Sequence, residues 1–344
     1  MIMGNTINDN FTIFYVLRDE FTLWGRTVSS DGNTIGPAYF IANTNDFRMQ
    51  SVVWHPYAKR FMIVGNLNNT LYALAANVNG QPLTPARVIA TGIANYPRVT
   101  WTLKKKFIVF YRKNDQIYAR RIKKNAKGNK PEKQITSFSQ GLAVPRDAST
   151  EEDGVAACYY AYYSSSSSTQ LIPRMVRVNR KLKLQVDCQV APVQYDQYQW
   201  GYMSGAYDPD TGTHAISFAN RFALFDKNGN AATPSPALAP FITIPNGGWT
   251  ISGITYDSTF QRFAAYYIRA WADESTWTEY TYIHFAYFDS NGNVIDADVE
   301  LGGFEDEADG RTGGINRRGE RLGILSEEGY GYGGGPVRAY LHYY

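Results

Sequence analysis

Apolar and polar residues alternate with a period of two along most of this chain, in short segments separated by polar turns. One recurring phrase is an alternating segment followed by an Asn-Gly turn, as in residues 70–74 before Asn79-Gly80. A second is an aromatic residue, a polar turn and an apolar run, as in Trp54 followed by residues 60–64. Apolar residues do not recur at the spacing of an amphipathic helix. The pattern therefore predicts an all-β protein made of short strands.

The glycine turn recurs at a nearly regular interval. Its members are Gly32, Gly80, Gly128, Gly229 and Gly292, and Asn179-Arg180-Lys181 is a version without glycine. The first three glycines are 48 residues apart, and the later ones fit one or two periods with insertions. Asn-Gly pairs suit type I′ hairpins, in which both central residues need positive φ. A β unit repeated at this interval indicates a propeller or a solenoid.

Each repeat contains four predicted strands, named A to D. Strand A ends at the aromatic residue, B is the apolar run, C precedes the Asn-Gly turn and D follows it. Four strands in about 40–50 residues is the organisation of a propeller blade. We therefore predict a single β-propeller domain over residues 1–344 with seven four-stranded antiparallel blades, or six if the terminal segments merge. The predicted blades are 1–41, 42–91, 92–140, 141–192, 193–241, 242–303 and 304–344, and the N-terminal strand within residues 1–7 would close the ring by completing the last blade or the first.

The chain resembles bacterial and phage repeat propellers that carry an aromatic turn and an Asn-Gly hairpin in each blade. The resemblance covers nearly the whole sequence, but it concerns architecture. It implies a propeller fold and identifies no particular family or activity.

Sequence motifs for catalysis and metal binding are lacking. The four histidines, His55, His214, His284 and His342, never pair at metal-ligand spacing. No nucleophile elbow, phosphate-binding loop or dinucleotide fingerprint is present. We therefore predict no catalytic residue, no metal and no cofactor. A glycoside-processing enzyme of propeller fold is the main alternative, because two carboxylates on one ring face would support glycoside hydrolysis.

Two cysteines, Cys158 and Cys188, fall on predicted strands B and D of one blade. Strand C separates them, so a disulfide would distort the blade, and free thiols are expected. No apolar stretch is long enough to span a membrane, and no secretory signal is visible. We expect a component of a virion or another extracellular particle released by lysis, or otherwise a cytoplasmic protein.

Aromatic residues cluster in the B–C and D–A connections, which vary in length. Loops on a rigid scaffold often carry binding residues, and aromatic rings suit sugars or a protein partner. The alternative is that these rings pack the loops down. The sequence predicts a ligand- or partner-binding face formed by Tyr195, Tyr198, Trp200, Trp249, Trp271, Trp277, Tyr330 and Tyr332.

Charge is distributed unevenly, although the net charge is only +3. The sequence predicts a basic docking patch in the A–B and C–D turns of one blade, formed by Lys104, Lys105, Lys106, Lys123, Lys124, Lys127 and Lys130. Residues 296–309 are acidic instead. A lysine patch attracts acidic protein surfaces or nucleic acid. Nucleic acid is disfavoured because no aromatic residues interleave with the lysines. The alternative is a solvated face that blocks edge-to-edge pairing.

These observations favour a non-catalytic propeller that acts as a structural or recognition module in a larger assembly. The expected partners are acidic proteins, including further copies of this chain, and a surface glycan. Besides the glycoside-processing enzyme, a cytoplasmic scaffold that binds peptides is a further alternative.

Overall fold

The protein is described by a computed structural model. The described residues are 1–5, 7–8, 10–17, 20–92, 94–104, 106–137, 141–164, 169–190, 203–218, 221–231, 248–273, 278–305, 308–315, 321–328 and 337–343. Within these ranges all regular secondary structure is β-strand. No helix long and apolar enough to cross a membrane occurs in the described part of the chain. The backbone divides into two compact units, residues 3–198 and residues 199–344 together with 1–2.

The first unit contains four sheets of four strands, and in each sheet every strand pairs with its neighbour in the chain. Sheet 1 comprises β1 (Ile2–Asn5), β2 (Asn10–Leu17), β3 (Thr22–Val28) and β4 (Tyr39–Asn43). Sheet 2 comprises β5 (Arg48–His55), β6 (Arg60–Leu67), β7 (Thr70–Ala76) and β8 (Arg87–Ala90). Sheet 3 comprises β9 (Asn95–Thr102), β10 (Lys106–Lys113), β11 (Gln116–Ile122) and β12 (Lys133–Gln134). Sheet 4 comprises β13 (Leu142–Thr150), β14 (Gly154–Ser164), β15 (Thr169–Asn179) and β16 (Leu184–Gln189).

The described residues of the second unit form three further sheets with the same consecutive pairing. Sheet 5 comprises β17 (Met203–Asp208), β18 (Thr213–Phe218) and β19 (Arg221–Phe225). Sheet 6 comprises β20 (Gly248–Asp257), β21 (Arg262–Asp273), β22 (Thr278–Phe288) and β23 (Val294–Glu305). Sheet 7 comprises β24 (Ala308–Ile315), β25 (Arg321–Glu328) and β26 (Val337–Tyr343). Sheets 5 and 7 each have three strands within the described ranges.

This organisation confirms the all-β prediction and the repeated four-stranded antiparallel sheet, which is the organisation of a propeller blade. The N-terminal strand was expected to complete either the last blade or the first. In the structure β1 pairs with β2 and belongs to sheet 1.

Apolar residues fill the spaces between sheets 2, 3 and 4 of the first unit. The side chains of two B strands are fully buried over four consecutive positions: Phe61, Met62, Ile63 and Val64 in β6, and Phe107, Ile108, Val109 and Phe110 in β10. These runs are continuous rather than alternating because both faces of the strand are covered. One apolar cluster joins residues of sheets 2 and 3, and a second joins residues of sheets 3 and 4.

The prediction that the Asn-Gly pairs form type I′ hairpins is wrong. In the Asn79-Gly80 turn only the glycine has positive φ, at 84°. The amide of Gly80 donates to the carbonyl of Asn77 at 3.0 Å, and the amide of Asn77 donates to the carbonyl of Gln81 at 2.8 Å. This is a type I turn followed by a left-handed residue, the common three-residue hairpin loop. The same bonds recur where Gly229 and Gly292 take the left-handed position.

The turn assigned to Lys127-Gly128 lies two residues earlier. The amide of Ala126 donates to the carbonyl of Lys123 at 2.9 Å, and Ala126 has a φ of 62°. In sheet 4, Leu182 occupies the same position with a φ of 61°. The position therefore requires a left-handed backbone, and residues other than glycine occupy it in two of the sheets.

Type I′ hairpins do occur, at the opposite end of two sheets. Asn68 and Asn69 connect β6 to β7, and both have positive φ. Asn114 and Asp115 connect β10 to β11 in the same way. Asparagine and aspartate tolerate this conformation better than other residues with a side chain. These B–C connections are therefore as short as a hairpin allows.

The prediction of free cysteines is confirmed. Cys158 of β14 and Cys188 of β16 both pair in register with Met175 of β15, which lies between them. Neither cysteine forms a disulfide, and Cys158 is buried whereas Cys188 is half-buried.

Candidate functional site

The lysines of sheet 3 meet at one end of that sheet. Thr102 pairs with Lys106 across the β9–β10 turn, and Phe107 pairs with Ile122 on the next strand. In an antiparallel sheet these pairings place the β9–β10 and β11–β12 turns at the same end. Lys104 is exposed in the first turn. Lys106 is half-buried as the first residue of β10, and Lys105 lies outside the described residues.

The β11–β12 turn supplies the other lysines. Lys123, Lys124 and Lys127 are exposed, and the amide of Lys123 donates to the carbonyl of Lys127 at 2.8 Å. Lys130 is also exposed but lies beyond the turn, where its carbonyl accepts a bond of 3.2 Å from Nε of Arg120.

A neighbouring sheet adds two cations that sequence reasoning missed. Nη1 of Arg60 donates to the carbonyl of Lys124 at 3.1 Å, which joins the β11–β12 turn to the start of β6. Lys59 precedes Arg60 and is exposed. Because Arg60 and Lys124 are 64 positions apart in the sequence, only the packing of sheets 2 and 3 reveals the contact. We call Lys59, Arg60, Lys104, Lys123, Lys124 and Lys127 the basic end.

Acidic residues lie next to the patch on the side of sheet 4. Nη1 of Arg121 donates to the carbonyl of Arg180 at 3.4 Å, which brings the β15–β16 turn beside sheet 3. Arg180 in turn forms an ion pair of 3.4 Å with Asp153 and donates to the carbonyl of Glu152 at 2.6 Å. Lys181 and Lys183 of the same turn are exposed, so this margin carries charges of both signs.

One exposed aromatic residue borders the basic end. Tyr57, in the β5–β6 turn, is 54% exposed, and its ring centroid lies 5.9 Å from that of Trp101. The imidazole of His55 is fully buried and stacks on Trp101 at 4.8 Å. His55 thus belongs to the packing beneath the turn, in agreement with a structural role.

The predicted aromatic face lies outside the described side chains. Trp249 and Trp271 belong to strands β20 and β21, but their side chains are not described. Tyr195, Tyr198, Trp200, Trp277, Tyr330 and Tyr332 are not among the described residues. The face therefore stays a prediction. The acidic segment 296–309 also lies mostly outside the described side chains, although Asp296 is described and exposed.

Buried carboxylates of the second unit hold turns together. Asp208 accepts bonds from the amide of Asp210 at 2.9 Å, from Oγ1 of Thr211 at 2.5 Å and from Oγ of Ser290. Burial alone would raise the pKa of Asp208, but the hydrogen bonds from Ser290 and Thr211 outweigh it and hold the pKa below its ordinary value. Asp257 caps the equivalent turn of sheet 6 through the amides of Thr259 and Phe260. No group of three or more potential metal ligands occurs in the described part of the chain.

Comparison with known proteins gives no family. No family model matches the chain, and no curated protein matches it. Among solved structures, it is similar to an oligogalacturonate lyase in complex with manganese, with 12% identity, a TM-score of 0.49 and coverage of 94% of this chain and 80% of that one. It is also similar to a nidogen/laminin complex, with 10% identity, a TM-score of 0.43 and coverage of 83% of this chain and 91% of that one. A third similar structure is the WD40 domain of SCAP from fission yeast, with 11% identity, a TM-score of 0.41 and coverage of 95% of this chain and 79% of that one. Similarities at this level identify neither a family nor an activity.

Proposed function

We propose that this protein is a non-catalytic β-propeller that docks onto an acidic protein surface through its basic end, as a structural and recognition module of a larger assembly. The observation that carries the proposal is the convergence of exposed lysines from three turns of sheets 2 and 3. Lys59 comes from one sheet, and Lys104, Lys123, Lys124 and Lys127 come from the next.

The geometry supports docking to a surface rather than chemistry on a small molecule. The lysines extend from short, regular turns, and the bond from Arg60 to the carbonyl of Lys124 fixes two turns relative to each other. Clustered charges of one sign steer a complementary partner and fix its orientation. Because the residues of the basic end belong to sheets 2 and 3, the partner's acidic patch is expected to face those sheets.

For the architecture we propose that the seven sheets are seven blades of one propeller, closed as a ring through the sheet that holds the N-terminal strand. For the setting we propose a virion or another extracellular particle. A glycan-binding role for the predicted aromatic face belongs to the same proposal, because aromatic rings suit sugars.

Charge reversal at the basic end tests the docking role. The variant Lys123→Glu/Lys124→Glu/Lys127→Glu is expected to lose incorporation into the native assembly while keeping the circular dichroism spectrum and melting temperature of the wild type. Lys227→Glu is the matched control, because Lys227 is exposed and follows the first residue of the corresponding turn in sheet 5. It should assemble normally.

Assembly of the triple variant at the wild-type level would contradict the proposal. Tight binding of the wild type to duplex DNA, lost in the triple variant, would favour a nucleic-acid partner instead. Hydrolysis of any member of a glycan panel, abolished by a single carboxylate substitution, would defeat the non-catalytic assignment.

A further inference from the structure

Tyr96 has an unusual backbone for a bulky side chain. Its φ is 54°, in the left-handed region. Phe110 pairs with Arg98 and Arg112 pairs with Asn95, so two residues of β9, Tyr96 and Pro97, lie opposite one residue of β10. Such a bulge normally places glycine at its left-handed position. A bulky residue there is strained, and strained residues cluster at functional sites.

The Tyr96 ring carries a cation. Tyr96 is 39% exposed, and the guanidinium carbon of Arg112 lies 5.3 Å from the centroid of its ring. Arg112 makes no ion pair or side-chain hydrogen bond within the described residues. Lys113, the residue after Arg112, and Tyr111 donate to the carboxylate of Glu132, so Arg112 does not bind it. The guanidinium therefore lies over an aromatic ring with its hydrogen-bond donors available.

Three asparagine side chains form a chain beside Tyr96. Nδ2 of Asn66 donates to Oδ1 of Asn95 at 2.8 Å, and Nδ2 of Asn95 donates to Oδ1 of Asn69 at 3.5 Å. Oδ1 of Asn66 is buried and accepts no hydrogen bond in the described structure. A buried polar atom without a partner is uncommon and calls for an explanation.

We propose that Tyr96, Arg112 and the amides of Asn66, Asn69 and Asn95 form a binding site for a sugar that bears a carboxylate. A planar guanidinium binds a carboxylate through two parallel hydrogen bonds. The aromatic ring offers a surface for the apolar face of a sugar, and the amides offer both donors and acceptors for hydroxyl groups.

The site is independent of the proposed docking role. Arg112 lies near the carboxyl end of β10, whereas the lysines of the basic end flank the amino end of that strand. The site also differs from the predicted aromatic face, none of whose residues it includes.

Binding of simple glycosides tests the proposal. Methyl β-D-glucuronide and methyl α-sialoside are offered to the full chain in saturation-transfer NMR and calorimetry, with methyl β-D-glucoside and sodium acetate for comparison. One or both acidic glycosides should bind in the millimolar range, and the glucoside and acetate more weakly. Arg112→Gln should weaken the binding by about tenfold or more, since a charged hydrogen-bond partner is worth about that much.

Tyr96→Gly separates binding from a purely structural role. Glycine suits the left-handed backbone, so this variant should melt at the wild-type temperature or above it and yet bind the acidic glycosides more weakly. Tyr57→Ala, at the other end of the sheets, is the control and should bind as the wild type does. The proposal is overturned if no acidic glycoside binds, or if the glucoside or acetate binds as tightly as the acidic glycosides. It is also overturned if the Arg112→Gln variant binds them with unchanged affinity.

Discussion

Gly25 and Gly80 approach each other so closely that neither position has room for a side chain. A Cβ atom on Gly80 would lie 2.9 Å from the carbonyl carbon of Gly25, and one on Gly25 would lie 2.6 Å from the oxygen of Gly80. The contact joins β3 of sheet 1 to the β7–β8 turn of sheet 2. Nearby, Oγ1 of Thr12 donates to the carbonyl of Val78 in the same turn at 2.9 Å. The turn glycine thus serves both the hairpin and the packing of adjacent sheets.

Gly80→Ala should therefore destabilise the protein by more than the usual cost of a left-handed alanine. We expect a loss of more than about 2 kcal/mol in the free energy of unfolding, from backbone strain and steric overlap together. Gly92→Ala is the matched control, because Gly92 has nearly the same φ of 82° and its Cβ would meet only a side-chain atom at 3.7 Å. It should lose only about 1 kcal/mol. Equal losses in urea denaturation would show that the contact with Gly25 is unimportant.

Arg98 links three A strands. Its guanidinium donates to the carbonyls of Arg146 in β13, Gln50 in β5 and Pro97 in its own strand. Arg98→Met should cost about 2 kcal/mol or more, because it leaves these carbonyls without a charged donor. Arg60→Met removes two hydrogen bonds, one to the carbonyl of Ala58 two residues away and an exposed one to the carbonyl of Lys124, and should cost less than about 1 kcal/mol. A measurement of unfolding free energies that ranks the two variants in the opposite order would contradict this assignment.

Asp226 shows how the repeated turn is held. Its Oδ1 accepts the amides of Asn228 and Asn230, both at 2.8 Å. Burial alone would raise its pKa, but the hydrogen bonds from Asn230 and Asn228 outweigh it and lower the pKa below the ordinary 3.8. Asn77 accepts the corresponding amides in sheet 2, so an amide oxygen serves equally well. Asp226→Ala should cost about 1 kcal/mol at neutral pH, and Asp226→Asn should cost less.

The pH dependence of the same variants has a definite sign. A carboxyl with a lowered folded-state pKa contributes stability above its unfolded value, and that contribution is lost as the pH falls through the folded pKa. The Asp226→Asn variant should therefore lose less stability than the wild type as the pH falls from 4 to 2, the range that begins near the ordinary pKa of 3.8. Thermal melts at a series of pH values would measure this. The same fall in melting temperature at low pH for the wild type and the variant would show that the charge of Asp226 does not stabilise the turn.

The two cysteines should differ in reactivity. Cys158 is buried, and burial raises its pKa well above the ordinary value, whereas Cys188 is half-buried. Since the thiolate is the reactive species, Cys188 should react first with a thiol reagent and Cys158 only on unfolding. The Cys188→Ser variant should then show no fast phase. A fast phase that persists in this variant would place an accessible thiol at Cys158.

The strands were predictable because their residues obey local rules. The apolar run at Phe61 and the alternation in residues 70–74 indicated β6 and β7 directly. The turn type was not predictable, because an Asn-Gly pair fits both a type I′ hairpin and a type I turn with a left-handed glycine. The third turn was misplaced because Ala126 occupies the left-handed position without a glycine to mark it.

The site was predictable only in part. The antiparallel order of strands sufficed to bring Lys104 and Lys124 to one end, because alternate turns of a meander share an end. The addition of Arg60 depends on packing between sheets, which period and spacing do not encode. Tyr96 and Arg112 escaped notice because a bulge sets their contact, and no sequence signal marked the bulge.

The most direct test of the docking account is an electron cryo-microscopy structure of the protein in its native assembly. The account predicts an acidic protein segment within ion-pair distance of Lys104, Lys123, Lys124 or Lys127. A partner seated elsewhere, with all four lysines facing solvent, would contradict it.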